Sequence, residues 1–159
     1  ARDSVLAIEP HRVPEAPDVP GLVVRGVGVA EAEAWERTVL DGFDLQGPAR
    51  DAWQAAAERI ARIPGMHLLL AEVDGRTAGA AGLFARARVG GLAPATVLPE
   101  FRGRGIHAAL IAARARMAQE KGCQLITAQA ETDGQSEHNM RRMGLARVHV
   151  RDVHRVDPA

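Results

Sequence analysis

The stretch Thr96-Val97-Leu98-Pro99-Glu100-Phe101-Arg102-Gly103-Arg104-Gly105-Ile106-His107-Ala108-Ala109-Leu110 decides how this chain is read. A strand ends, a turn with no side chain at Gly103 and Gly105 follows, and a helix begins at once. The N–H groups that open a helix have no internal partner, and the aligned peptide dipoles add partial positive charge there. Such a place binds phosphate. The glycines let the backbone approach an anion closely, and Arg102 and Arg104 can add charge-assisted hydrogen bonds. The competing reading is that the glycines serve the turn alone. The string is not a P-loop, because no Gly-Lys-Ser/Thr follows. Nor is it a dinucleotide fingerprint, because the loop falls mid-chain after a hairpin instead of inside an opening βαβ unit.

Outward from this loop the pattern is regular. Upstream, Leu92 to Leu98 reads as a strand, and Thr77 to Arg86 as the strand before it. Asp74-Gly75 is a two-residue hairpin signal joining that strand to the continuous apolar run Met66 to Val73. Two helices are predicted earlier, over about residues 30–40 and 48–63, the second opened by Pro48 and stopped by Pro64-Gly65. Leu22-Val23-Val24-Arg25 reads as the first firm strand. Downstream, a helix spans about 105–121 with Gly122 as its stop, Cys123 to Ala130 a strand, and Gln135 to Met143 a short helix. Leu145 to Val156 alternates like an exposed edge strand. Strand, two helices, three strands, helix, strand, helix, strand is the order of an α/β domain. Residues 1–20 carry four of the nine prolines and read as an extended proline-rich arm, with a short strand possible at Val5 to Ile8; residues 21–159 are the domain proper.

Bulk composition narrows the partners. The 20 basic and 20 acidic side chains cancel, so there is no field to gather nucleic acid or a membrane surface. No apolar run approaches the roughly 18 residues that span a bilayer, and no secretory signal is visible, so the cytoplasm is the expected location. Cys123 reads as a core residue, and His149 and His154 as surface residues with no metal spacing. Beginning at Ala1, the chain is read as a processed product or a piece of something longer. A homodimer stays open.

The loop resembles the signature of the GNAT acetyltransferase superfamily, Gln/Arg-x-x-Gly-x-Gly/Ala. Arg102-Gly103-Arg104-Gly105-Ile106 fits all but the last position, where His107 replaces the usual small residue. The element order from Leu22 to Val156 also matches. Ser136-x-x-Asn139-x-x-x-x-Gly144-Leu145 resembles the family's second cofactor-side motif, in which Gly-Phe is commoner.

The resemblance implies a mixed, mostly antiparallel sheet with splayed fourth and fifth strands and helices on both faces. It implies a slot for the pantetheine arm of acetyl-CoA, paired with the backbone of the fourth strand at Ala95, Thr96 and Val97. Pro94 suits a strand that bulges or diverges there. The pyrophosphate would lie on the amides of Arg102, Gly103, Arg104, Gly105, Ile106 and His107, with Asn139 as a further contact, and no metal is required. His107 either touches a phosphate or points aside. The implied reaction is direct attack of a primary amine, on a small molecule or a protein, upon the thioester. Glu131 is the candidate base and Glu72 a second one. Many members place a tyrosine four residues before the Gly-Phe; here that position is Met140, and the chain has no tyrosine. Ser136 and His138 are the candidates to protonate the thiolate. Trp35, Phe43 and Trp53 lie where the family selects its acceptor, though aromatic residues at helical spacing are more often core. The competing readings are a coenzyme A-binding sensor or partner domain without catalysis, and a structural domain with no ligand.

Overall fold

Residues 1–54 and 56–154 are described by a computed structural model. Its strands in chain order are β1 (Arg2–Ile8), β2 (Leu22–Val27), β3 (Met66–Val73), β4 (Arg76–Arg86), β5 (Val89–Val97), β6 (Leu125–Glu131) and β7 (Ala146–Asp152). The helices are α1 (Ala32–Gly42), α2 (Gly47–Trp53), α3 (Ala57–Ala61), α4 (Ile106–Glu120) and α5 (Gln135–Arg142). One seven-stranded sheet runs in the order β2-β3-β4-β5-β6-β1-β7. Every neighbouring pair is antiparallel except β5 and β6.

The apolar run of β3 is buried on both faces. Leu68 and Leu70 pack with Trp35 and Val39 of α1, while Ala71 and Val73 pack with Ile106 and Leu110 of α4. Asp74 and Gly75 both take positive φ, 49° and 77°, as a tight hairpin between right-twisted strands requires. The helix expected over 48–63 is instead two short pieces, α2 and α3. Gln54 is extended at ψ 139°, and the buried Glu36 of α1 accepts from the N–H groups of Ala56 and Ala57 at 3.1 Å each. A carboxylate from another helix thus caps α3, which local propensity does not reveal.

Residues 1–20 do not lie apart from the sheet as an arm. β1 is inserted between β6 and β7, pairing with both, and its Ser4 and Leu6 are fully buried. Beyond it the proline-rich run crosses the outer side of α4. Val13 and Ala16 pack near Ile111 and Ala112, and Val19 reaches Gly105. With β1 counted, the splayed pair expected as fourth and fifth strands is β5 and β6. β7 is the exposed edge, with Val148 62 % exposed; the end of that expected strand, residues 155–156, lies outside the described residues.

Candidate functional site

β5 and β6 pair only at Val89–Leu125, Gly90–Ile126 and Gly91–Thr127, then part. Beyond Gly91 the β5 backbone has no strand on its β6 side. The wedge opens into a cleft of about 1640 Å³ lined by Ala95, Thr96 and Val97 from β5 and by Gln129 and Glu131 from β6. Ser136 and Asn139 of α5 also line it, together with the loop before α4. A bulge marks the divergence: Ala81 faces Ala95 and Gly82 faces Ala93, leaving Pro94 as the extra residue. A residue with no N–H fits where the ladder skips.

At the wide end of the cleft, none of the N–H groups from Gly103 to Ala108 has a hydrogen-bond acceptor among the described residues. Gly103 and Gly105 hold φ of 76° and 88°, left-handed values that an L side chain adopts only at a cost. A Cβ on Gly103 would meet nothing within 4 Å, so the turn is open at that position. Both arginines differ from the expectation. Arg102 donates from Nε to Val97 O at 3.0 Å and from Nη2 to Gly42 O at 2.8 Å, bracing the loop against α1. Its Nη1 and the second hydrogen of Nη2 are left for an anion among the described residues. Arg104 is not among the residues that line the cleft, and its guanidinium lies 5.4 Å from the Phe101 ring centroid.

His107 resolves in a third way. Its imidazole lines the cleft but is held neutral: burial, then the charge of Arg114, push its pKa down to about 4. It is therefore no cation for a phosphate at neutral pH. The buried side-chain atoms left without a hydrogen-bond partner among the described residues are His107 Nδ1 and Arg114 Nη2, and both residues line this cleft.

An acetyltransferase (GNAT) family model matches residues 30–147. The chain belongs to the GNAT acetyltransferase family. In fold it is similar to a functionally unknown conserved protein from Staphylococcus epidermidis, at TM-score 0.77 and 16 % identity over 94 % of this chain and 58 % of that one. It is also similar to a GCN5-related N-acetyltransferase from Kribbella flavida, at TM-score 0.68 and 23 % identity over 94 % and 56 %. A third likeness is to the aminoglycoside N-acetyltransferase AAC(6')-Iy in complex with CoA, at TM-score 0.71 and 22 % identity over 91 % and 100 %. This chain spans little more than half the length of the first two. No curated protein matches it.

Within this GNAT domain the expected chemical residues divide. Glu131 ends β6 and lines the cleft, and its carboxylate has no hydrogen-bond or ion-pair partner among the described residues. Ser136 lines the cleft from the first turn of α5. Asn139 lines it too, with Oδ1 accepting from Gln135 Nε2 at 2.9 Å and Arg142 Nη2 at 3.2 Å. Met140 stands in the wall where many members have tyrosine. Two candidates fall away. His138 is exposed on α5 outside the cleft, and Glu72 is paired with Arg25 at 2.9 Å and does not line the cleft. Trp35 is core, donating from Nε1 to Ala81 O at 2.8 Å, whereas Phe43 and Trp53 line the cleft. Cys123 is buried in a hydrophobic cluster. No group of three or more His, Cys, Asp or Glu is placed to hold a metal among the described residues, and no helix among them is long and apolar enough to cross a membrane.

Sequence reasoning missed Arg114 and the strap Pro14, Glu15 and Pro17, which also borders the cleft. Arg114 carried a signal: it follows Leu110 by four residues and so is the one charge on the buried face of α4.

Proposed function

We propose that this GNAT domain transfers an acetyl group from acetyl-CoA to a primary amine by direct attack. The observation that carries the reading is the row of unpartnered N–H groups from Gly103 to Ala108 at the mouth of a strand-lined cleft. Donors of this kind at a helix start suit a pyrophosphate. Gly103, Arg104, Gly105, Ile106 and His107 contribute main-chain amides, whereas the Arg102 N–H expected with them already donates to Pro99 O at 3.3 Å, and Asn139 faces the same cleft from α5. The unpaired side of β5 at Ala95, Thr96 and Val97 suits the amides of a pantetheine arm, which would add to it as a strand does.

In the reaction, Glu131 takes a proton from the amine, directly or through water. The amine nitrogen bonds to the thioester carbon, and the carbon–sulfur bond breaks. The thiolate leaves as coenzyme A once protonated, with Ser136 in the wall as the candidate donor. Phe43 and Trp53 give the acceptor side an apolar face. Small-molecule amines and protein amines both fit this chemistry.

A second reading, a non-catalytic acyl-CoA-binding sensor or partner domain, is favoured by Met140 where many members have tyrosine. Thiol release from acetyl-CoA with a panel of primary amines separates the two. Amine-dependent release supports transfer; stabilisation by coenzyme A without release with any amine supports the sensor. A ligand at 100 times its dissociation constant adds roughly 2.7 kcal/mol to stability, so coenzyme A binding itself is readable by thermal shift. No shift with coenzyme A overturns both.

A further inference from the structure

The buried cation Arg114 is not explained by the reaction just described. It sits on the inner face of α4 with its side chain fully buried, and no carboxylate among the described residues pairs with it. Arginines nearer the surface are paired instead: Arg25 with Glu31 and Glu72, Arg147 with Asp133 and Glu137. Two of the three Arg114 nitrogens have a structural duty. Nε donates to Leu110 O at 3.0 Å, and Nη1 serves the carbonyls of Ala93 and Gly82 at 3.0 and 3.3 Å, beside the bulge where Pro94 has no N–H to give. A neutral amide side chain would serve such carbonyls too. The full charge and the unpartnered Nη2 have no such account. Burying an ion without an opposite charge is strongly unfavourable, so a counter-charge is expected from outside the chain.

The place along the cleft says which part of a ligand supplies it. The free amides of residues 103–108 lie past the C-terminal end of β5, and the strands close at Gly91 and Thr127. A thioester arm anchored on those amides and following β5 backwards from Val97 travels about 13 Å to Ala93, at roughly 3.3 Å per residue. Its acyl end then lies over Arg114. The wall there includes Ala93 and Ala108, which are small, and Met140 and Met143, whose flexible side chains can turn to uncover the guanidinium. The cleft's own carboxylates, Glu15 and Glu131, form no ion pair with Arg114.

Resting on the coenzyme A reading of the cleft, we infer that its closed end is a carboxylate site, which admits acyl-CoA donors whose acyl chain ends in a carboxylate and prefers them to acetyl-CoA. The transfer itself is unchanged. The carbon–nitrogen bond forms, the carbon–sulfur bond breaks, the amine proton ends on the thiol, and the distal carboxylate stays intact against Arg114.

The test is thermal-shift titration of the whole chain with coenzyme A, acetyl-CoA and succinyl-CoA. The expected result is a half-saturation for succinyl-CoA about tenfold or more below that for acetyl-CoA, the scale of one charge-assisted hydrogen bond. Arg114→Gln removes the charge and brings the half-saturations of the two acyl donors together. Arg114→Lys keeps the charge and the preference. Equal half-saturation in the unaltered protein, or a preference that survives Arg114→Gln, overturns the carboxylate site. Should Arg114→Gln not fold, the comparison in the unaltered protein decides alone. An absence of stabilisation by coenzyme A overturns the cleft reading beneath it, a distinct outcome.

Discussion

Acidification should cost this protein stability through His107 before its carboxylates respond. The imidazole is held near a pKa of about 4 by burial and by Arg114, against 6.5 for a free histidine. The folded protein resists a proton that the unfolded chain accepts, so the unfolded state binds more protons and stability rises with pH across that window. The contribution is fully present above pH 6.5 and is lost as pH falls towards 4. A separation of about 2.5 pKa units corresponds to roughly 3 kcal/mol in full, of which about 2 kcal/mol is lost by pH 5. Urea unfolding at pH 7 and pH 5 measures it, with His107→Ala as the reference. The unaltered protein should lose about 2 kcal/mol more than the variant between these two pH values. Glu137, whose pKa is lowered to about 2, changes its contribution only below pH 4.5 and so leaves this window clear. Parallel losses in the two proteins would refute the reasoning, and with it the neutral, buried imidazole.

Other consequences are as direct. Gly105→Glu puts a carboxylate beside the free amides at a φ of 88°, and should abolish the thermal shift given by coenzyme A; an undiminished shift would remove the pyrophosphate from this loop. Gly103→Glu, with nothing within 4 Å of its Cβ, should do the same with less effect on the ligand-free melting temperature. Glu36→Ala removes the acceptor for the Ala56 and Ala57 amides and should lower stability by about 1–2 kcal/mol in urea unfolding, with faster amide exchange over 57–61. Glu137 accepts from Ser4, from Arg147 and from the Asp133 amide, which hold its pKa low; Glu137→Gln should lose stability at neutral pH and show a flatter acid limb between pH 4.5 and 2. Retention of the steep limb in the variant would assign it to other carboxylates.

Local chemistry determined much of this protein. A β-turn that requires positive φ reads as Asp74-Gly75, a strand buried on both faces reads as Met66 to Val73, and a turn stripped of side chains before an apolar helix reads as Gly103 to Gly105. These depend on near neighbours in sequence, whereas the mixed sheet with its splayed pair was an implication of the resemblance to the GNAT family. Tertiary structure decided the rest, because each remaining fact is a contact between distant segments. Glu36 splits the second helix by capping α3 from twenty residues away. Arg102 is drawn from the anion site by carbonyls at positions 42 and 97, and Glu72 from the cleft by Arg25 on the adjoining strand. The proline-rich start becomes an inner strand and a wall of the cleft because β6 and β7 leave a place between them that Ser4 and Leu6 fill. Arg114 was visible as a charge on an apolar face. That it lies unpaired beneath a bulged proline could be learned only once strand and helix were packed, since burial and missing partners belong to the assembled interior.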